Sequence, residues 1–194
     1  MLRRILAALA LVLLAVVPAR GQATAEVAPP VPEMRQFDYL VGDWTYVART
    51  KLPGPPPVFT GTWLARPLDD GRGIIDEFRA LDGAGNVAYY GVTIRTWNTE
   101  ARRWDIFYVD RGLDGRWGDP QIGEARFEDG EMHLTQAGPH SMIRVRYYDI
   151  RPESFRWIAD RSLDGGRTWS VGDTTIEARR VHPTGDATGP LAHP

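Results

Sequence analysis

The chain has 194 residues, of which 43% are hydrophobic, and a formal net charge of −2. This length and apolar content predict one domain with a single sizeable core. The absence of cysteine excludes disulfides, thiolate metal sites and a cysteine nucleophile. A slightly acidic chain without a basic stripe argues against nucleic acid or an anionic membrane surface as a partner.

The N-terminus has the pattern of a secretory signal. Arg3 and Arg4 precede an apolar run over residues 5–17, which is shorter than the roughly 20 residues that span a membrane. Small residues at Ala19 and Gly21 suit cleavage. We therefore expect residues 1–21 to be a signal peptide, with export to the periplasm or the medium and no stable membrane insertion afterwards.

The next segment, residues 22–34, is Pro-rich and small, which is typical of a tether. A short helical turn should follow, with the apolar side chains of Phe37, Leu40 and Val41 on one side. Gly42 then frees the backbone to enter a strand. Trp44 would be the first inward residue of that strand and would close one end of a barrel.

From residue 58 onward the chain reads as hairpins. Asp-Gly pairs, which favour tight turns, occur at 70–71, 82–83, 114–115, 129–130 and 164–165. Pro120 should interrupt one of the extended runs. The ten predicted strands cover residues 44–50, 58–66, 73–81, 86–97, 102–109, 116–128, 131–136, 141–151, 154–162 and 168–180.

Two-residue alternation sets the predicted inward face of each strand. In the run 141–151, Ile143, Val145 and Tyr147 lie opposite Arg144 and Arg146. Because no crossover helix separates the strands, the fold class is all-β, an antiparallel up-and-down barrel over residues 35–182. A two-sheet sandwich is the alternative, and residues 183–194 read as a disordered tail.

The opening motif resembles a known superfamily. Phe37, Leu40, Val41, Gly42 and Trp44 match the pattern F-x-x-L-V-G-x-W, which resembles the calycins and, more closely, a bacterial lipocalin-like family of unknown function. The resemblance implies a barrel whose apolar cup holds a small hydrophobic ligand or haem. In lipocalins an arginine of the last strand packs across this tryptophan, and Arg179 is the candidate here.

A second motif, residues 162–169, fits S-x-D-x-G-x-T-W and looks like the Asp-box of sialidases. Its physical cause is local, since the Asp164 carboxylate can accept hydrogen bonds from turn amides. A propeller would repeat the motif in every blade, but this chain carries it once. We interpret it as a hairpin clip without glycosidase activity.

The histidines do not form a metal-binding pattern. His133, His140, His182 and His193 contain no H-x-H or H-x-x-x-H pair, so no metal site is predicted. We expect no cofactor, except that a haem could be held by His182 or by His133, if His133 points into the cup.

Acid–base chemistry has few candidates. The carboxylates considered are Asp76, Glu77, Asp105 and Asp110, and no G-x-S-x-G or P-loop motif is present. Adjacent strand positions point to opposite faces, so Asp76 and Glu77 cannot act as a pair. Glu77 opposite Arg144 or Arg146 could form an inward ion pair that steers a polar ligand group; the alternative, which is the more common one for charges on strands, is a solvated side chain.

The leading functional hypothesis is an exported barrel that binds a small hydrophobic or amphipathic molecule. One alternative is a barrel enzyme, an isomerase or hydrolase, with Glu77 or His133 acting inside the cup. The other is a structural or interaction protein with a filled core and an outer apolar patch. The sequence does not predict the oligomeric state. The predicted ligand-binding residues are Trp44, Trp63, Glu77, Tyr89, Trp104, Tyr108, Arg144 and Trp157.

Overall fold

A computed structural model describes residues 31–181 except 54 and 113. The predicted signal peptide, most of the tether, the tail, His182 and His193 lie outside the described residues. Ten strands form one closed antiparallel barrel in which each strand pairs with its chain neighbours and β1 pairs with β10. The predicted fold class is confirmed, and the sandwich alternative is wrong. No helix among the described residues is long and apolar enough to cross a membrane.

The elements follow the predicted order closely. A 3-10 helix, Pro32–Phe37, precedes the first strand. The strands are β1 Gly42–Thr50, β2 Val58–Pro67, β3 Gly73–Leu81, β4 Val87–Asn98, β5 Arg103–Arg111, β6 Gln121–Glu128, β7 Glu131–Ala137, β8 Met142–Arg151, β9 Ser154–Ser162 and β10 Ser170–Arg180.

The N-terminal segment closes one end of the barrel, which we call the capped end. The helix ends at Phe37, and a turn carries the chain to Gly42, whose φ of 127° favours glycine. Phe37 and Leu40 are fully buried. Trp44 is also buried, and its indole N–H donates to the Leu40 carbonyl at 2.8 Å. The opposite end, where β1 leads to β2 and β9 leads to β10, is called the mouth.

Both ends of the described chain lie at the capped end. β1 leaves this end and β10 returns to it, with Trp44 opposite Arg180 in the ladder. The Val181 amide donates to the Asp43 carbonyl at 2.8 Å. The mouth is therefore built only from loops between strands.

The sixth strand is shorter than predicted. The run 116–128 contains only β6, which begins at Gln121 directly after Pro120. Proline cannot donate to a ladder, and the Gly118 amide instead donates to the Asp110 carbonyl at 2.8 Å. The residues before Pro120 therefore form part of the mouth, with a single bridge between Arg111 and Trp117.

The Asp-Gly pairs all mark turns, but only one has the geometry of a tight two-residue hairpin. Asp129 and Gly130 have φ values of 53° and 82°, as a type I′ turn requires. In the β3–β4 turn the positive φ belongs to Gly85 instead of Gly83. There the Asp82 carboxylate accepts from the Asn86 amide at 2.8 Å and holds a longer turn.

Candidate functional site

The capped half of the barrel interior is filled with aromatic side chains. Trp104 is fully buried between β4 and β6. Its ring lies 4.9 Å from that of Phe37, edge to face, and Trp44 meets Phe155 in the same way at 4.8 Å. Such contacts are favourable beyond the area they bury. This half is therefore packed core.

An ion pair lies within this packed region. Asp76 on β3 and Arg95 on β4 are in direct contact, with side chains that are 0% and 2% exposed. The Trp63 indole donates to the Asp76 carboxylate at 2.7 Å, and Arg95 donates to the Tyr147 hydroxyl at 3.1 Å. A buried charge without a partner costs several kcal/mol. Together with Trp63 and Tyr147, the ion pair links side chains from β2, β3, β4 and β8 below the mouth half.

Arg180 covers the indole of Trp44. Its guanidinium carbon lies 4.1 Å from the ring centroid, and it donates to the carbonyls of Val41 at 2.7 Å and Tyr39 at 3.0 Å. Burial lowers the pKa of Arg180 from its ordinary value. The prediction of Arg179 for this role is wrong, because Arg179 pairs with Thr45 on the outer face of the barrel and is exposed.

In the mouth half, several interior side chains are partly exposed. Ladder register places them on the same face as the buried core residues, so water reaches them through the mouth. Gly91 gives room to the Tyr108 ring, because a Cβ at Gly91 would lie 2.8 Å from the tyrosine oxygen. The partly exposed interior residues are Phe59, Phe78, Tyr89, Tyr108, Asp110, Trp157 and Arg161.

Two tyrosines and a carboxylate meet at this end. The Tyr89 hydroxyl donates to the Asp110 carboxylate at 2.7 Å and also contacts the Tyr108 hydroxyl. Burial, followed by the neighbouring Tyr108 and Asp110, raises the pKa of Tyr89. Burial likewise raises the pKa of Tyr108. At neutral pH both hydroxyls keep their protons and act as hydrogen-bond donors rather than bases.

A cation faces the tyrosines across the interior. Arg161 donates from Nε to the Asp173 carboxylate at 3.2 Å, and its charge acts on the Tyr108 hydroxyl. We call Tyr89, Tyr108, Asp110, Arg161 and Asp173 the mouth cluster. It offers hydroxyl donors, one guanidinium and two carboxylates around the opening.

Six of the eight predicted ligand-binding residues face the interior. Trp44, Trp63 and Trp104 belong to the packed capped half. Tyr89 and Tyr108 lie on the wall of the mouth half, and Trp157 lies on the inner wall of β9, opposite Tyr147 and Ile176.

Glu77 and Arg144 face outward, so the inward ion pair is wrong and the alternative of a solvent-facing side chain is correct. Strand parity explains both positions. Glu77 alternates with the inward Asp76 and contacts Arg79 on the same outer surface. Arg144 lies 3.9 Å from the ring centroid of Trp169 and donates to Asp160 at 3.0 Å.

The histidine and carboxylate candidates separate in the same way. His133 is on the outer face near Glu131, at 3.6 Å, and its side chain is 48% exposed, so it does not point into the cup. Asp105 is on the outer face with Arg103. Asp76 and Asp110 face inward. No group of three metal-ligating side chains occurs among the described residues.

Sequence reasoning missed the interior arginines. Arg95 has the same strand parity as Tyr89, and Arg161 has the same parity as Trp157, so strict alternation could have found both. The inward position of Asp173 could not be predicted by alternation, because the β9–β10 ladder shifts register between Ser170 and Thr174. A shift of this kind changes which side chains face inward.

Two concavities lie on the described part of the molecule. One, of about 190 Å³, lies beside the mouth cluster and is lined by Val87, Tyr89, Tyr90 and Arg111 among others. The other, of about 220 Å³, is outside the barrel at the capped end, where Arg156 and Glu177 contribute to its lining. The first adjoins the mouth cluster through Tyr89.

Comparisons with known proteins support the fold. No protein-family model and no curated protein sequence matches the chain. Among solved structures, the chain is similar to the S-type phycobiliprotein lyase CPES from Guillardia theta, with a TM-score of 0.54 and 11% identity. The match covers 78% of this chain and 98% of the lyase. At this identity the likeness shows a shared barrel fold and nothing finer.

Proposed function

We propose that the protein binds a small hydrophobic or amphipathic molecule in the mouth half of the barrel. The observation that carries this proposal is the contrast between the two halves of the interior. Trp44 and Trp104 are buried at the capped end, whereas Phe78, Tyr108 and Trp157 are partly exposed on the same inner wall. Apolar surface that water reaches inside a concave wall is the usual lining of a small-molecule site.

The apolar part of the ligand would pack against Phe59, Phe78 and Trp157. Each square ångström of apolar surface removed from water contributes about 25 cal/mol. The capped half would not admit the ligand, because its ion pair and aromatic contacts fill the interior there. The ligand would therefore contact only the inner wall of the mouth half. The expected ligand is therefore short enough to end above Asp76 and Arg95.

The mouth cluster would orient the polar end of the ligand. Asp110 accepts from Tyr89 but has no cationic partner among the described residues, whereas Arg161 is paired with Asp173. The cluster thus carries one uncompensated negative charge. A ligand with N–H donors or a positive group at its polar end fits this charge better than a bare carboxylate.

A paired substitution tests this proposal. Asp110→Asn keeps the size of the side chain but removes the charge, and Asp105→Asn makes the same change on the outer face. Ligands from an amphipathic panel would be detected by a thermal shift of the purified chain. For a cationic ligand we expect about tenfold weaker binding in Asp110→Asn, which corresponds to about 1.4 kcal/mol, and no change in Asp105→Asn.

Two results would contradict the proposal. One is a panel in which no lipophile or amphiphile shifts the unfolding temperature of the wild-type chain. The other is binding that Trp157→Ala leaves intact but that is lost on substituting Trp117, which is 55% exposed outside the interior.

We also propose export, on the basis of the Arg3–Arg4 start and the apolar run that follows. The test is the intact mass of the chain recovered from the periplasm or medium of an expressing cell. Loss of about the first 21 residues would support export, and a full-length intracellular chain would contradict it.

The phycobiliprotein lyase likeness does not lead us to propose lyase activity, because the two chains share the barrel at only 11% identity. The isomerase or hydrolase alternative stays a prediction. Its candidate base Glu77 lies on the outer surface of the barrel in contact with Arg79. Among the described residues, nothing favours catalysis over ligand binding.

A further inference from the structure

Exposed apolar side chains surround the mouth of the barrel. The six most exposed large hydrophobic residues of the described chain all lie at this end, with exposed fractions from 46% to 76%. They belong to four of the five mouth loops or to the first two residues of the strands that leave them. We call this set the apolar rim. It consists of Val58, Val87, Trp117, Ile122, Leu163 and Val171.

The capped end has a different surface. Each of its four turns carries an exposed carboxylate. The large hydrophobic residues exposed near this end, within the described chain, are Phe127 at 36% and Val181 at 44%. The barrel therefore has one polar end and one end bordered by apolar side chains. The carboxylates of the four turns are Asp70, Glu100, Asp129 and Glu153.

Local hydrogen bonds hold parts of the apolar rim in place. Leu163 directly precedes Asp164, whose carboxylate accepts from two turn amides at 2.9 and 3.0 Å. The Lys51 ammonium donates to the Val171 carbonyl at 2.8 Å. A backbone bridge to β5 fixes Trp117. These side chains are therefore presented at defined positions, which reduces the conformational entropy that binding would cost.

The charges at the mouth cancel. At neutral pH the five mouth loops, with the strand ends that border them, contain four cations and four carboxylates. A surface without net charge does not attract nucleic acid or an anionic membrane, so the apolar rim is the main source of affinity at this end. The charged residues are Lys51, Arg111, Arg116 and Arg167 against Asp82, Asp114, Asp119 and Asp164.

The arrangement of the apolar rim favours a fluid partner. Its members stand on separate loops around an opening, with polar residues between them. A folded protein partner packs against a continuous apolar centre, which a ring around an opening does not provide. A lipid interface admits separate side chains individually, and tryptophan is enriched at that depth of a membrane.

We propose that the apolar rim docks the barrel, mouth first, on the surface of a bilayer of zwitterionic lipids. The rim side chains enter the interfacial layer, and the carboxylates of the capped end stay in water. The mouth then opens onto the lipid, so that an amphipathic ligand enters from the bilayer. This route of entry, unlike the docking itself, rests on the function proposed above.

Vesicles of brominated phosphatidylcholine test the docking with the purified full chain. Bromine quenches an indole that reaches the lipid, and Trp117 is the exposed tryptophan of this chain, at 55%. Residues 1–30 contain no tryptophan, so their apolar run cannot give this signal. We expect quenching that rises with vesicle concentration and that Trp117→Phe largely removes.

A paired substitution tests the role of the apolar rim. Leu163→Ser with Val171→Ser should weaken vesicle binding at least about tenfold, because it removes two apolar side chains from the contact. The matched control is Val47→Ser with Val181→Ser, which changes two valines of 42% and 44% exposure away from the mouth. The control should bind vesicles as the wild type does, and added salt should leave the binding unchanged.

A thermal shift without vesicles separates the docking from ligand binding. The Leu163→Ser, Val171→Ser variant should keep any shift that a short-chain amphiphile gives with the wild type, because the mouth cluster and the inner wall are unchanged. A wild-type chain that docks on vesicles but shows no shift supports the docking and counts against the proposed ligand site.

Four results would overturn the docking proposal. The first is a wild-type chain that brominated vesicles do not quench. The second is equal vesicle binding by the rim variant and the control variant. The third is binding that requires anionic lipid and disappears in salt. The fourth is self-association of the chain without vesicles that the rim variant abolishes, which would assign the apolar rim to a second copy of the chain.

Discussion

Arg179 and Arg180 are adjacent in the chain but face opposite sides of the barrel wall. Arg180 is the seal of the capped end, since it lies over Trp44 and donates to the carbonyls of Tyr39, Val41 and Pro152. Arg179 is exposed. The resemblance to lipocalins identified the interaction correctly but placed it one residue away. In a strand, that difference moves a side chain from one face to the other.

Arg180→Lys is therefore expected to destabilise the fold. A lysine keeps the charge, but it lacks the planar fork that reaches several carbonyls while stacking on the indole. We expect a loss of about 1–3 kcal/mol in the free energy of unfolding, measured by urea denaturation. Arg179→Lys is the matched control and should change it by less than about 0.5 kcal/mol. Equal effects of the two substitutions would contradict this account of the seal.

Interior polar residues were the least predictable part of the site. Aromatic residues such as Trp63 and Tyr108 were expected inside because large apolar side chains are usually buried. Arg95 and Arg161 were not, because an arginine on a strand normally faces solvent. Their burial depends on carboxylates from other segments, Asp76 and Asp173. Such partners are apparent only once register and bulges are known.

At the scale of single elements, β2 depends on a glycine. A Cβ at Gly61 would collide with the Arg79 carbonyl and with the Tyr46 hydroxyl, which itself donates to that carbonyl at 2.9 Å. Gly83 lies in the β3–β4 turn with nothing within 4 Å of the same position. Gly61 thus has no room for a methyl group, whereas Gly83 does.

Gly61→Ala is expected to destabilise the protein by about 1–3 kcal/mol, the usual cost of overpacking a core. Gly83→Ala should be close to neutral. Thermal unfolding of both variants, followed by circular dichroism, gives the comparison. A Gly61→Ala variant as stable as the wild type would show that Tyr46 leaves its place without cost.

The hairpin between β9 and β10 behaves as the single Asp-box motif predicts. The Asp164 carboxylate accepts from the Thr168 hydroxyl at 2.7 Å and from the Thr168 and Arg167 amides at 2.9 and 3.0 Å. The Trp169 indole donates to the Gly166 carbonyl at 2.9 Å. All of these contacts are local. The motif therefore closes a turn and needs no neighbouring blade.

These hydrogen bonds, with the Thr168 hydroxyl as the largest cause, lower the pKa of Asp164 from 3.8 to about 2. Because the folded value lies below the unfolded one, the contribution to stability is present above about pH 4 and is lost as the pH falls through about 2. Carbon NMR titration of Asp164 should give a midpoint near the folded value. Thr168→Val should raise that midpoint, and an unchanged midpoint would contradict the assignment.

At the scale of the whole molecule, the barrel follows from the Asp-Gly turns and from the two-residue alternation of side chains along the strands. Both are local features that can be recognised in the sequence. Consecutive hairpins without a crossover helix leave an up-and-down sheet as the simplest arrangement, and closure removes its edges. The difference in side-chain exposure between the two halves of the interior was not predictable. It depends on the 3-10 helix and turn, which insert Phe37 and Leu40 under one end.

The interior tyrosines should make the fold sensitive to alkali. Burial raises the pKa of Tyr39, Tyr46, Tyr89 and Tyr108 above the ordinary value of 10. Above about pH 10 the unfolded chain therefore loses protons that the folded chain keeps, so stability is full below that pH and falls as the pH rises.

Each such tyrosine contributes up to about 1.4 kcal/mol per pH unit to this fall. Tyr46→Phe should make the decline of unfolding free energy between about pH 10 and 11 shallower by that amount. Urea denaturation at several pH values measures the slope. Parallel slopes for variant and wild type would mean that Tyr46 ionises equally in both states.

The convergence of both described chain ends beside Trp44 has a practical consequence. A reporter or surface linker joined at either end would leave the mouth facing the solution, so an immobilised chain could be screened against ligands without obstruction. Joining the two ends and opening one mouth loop, such as the one between β3 and β4, would give a circular permutant whose new termini flank the proposed binding site. In such a permutant, ligand entry could be read as a change in distance between two dyes.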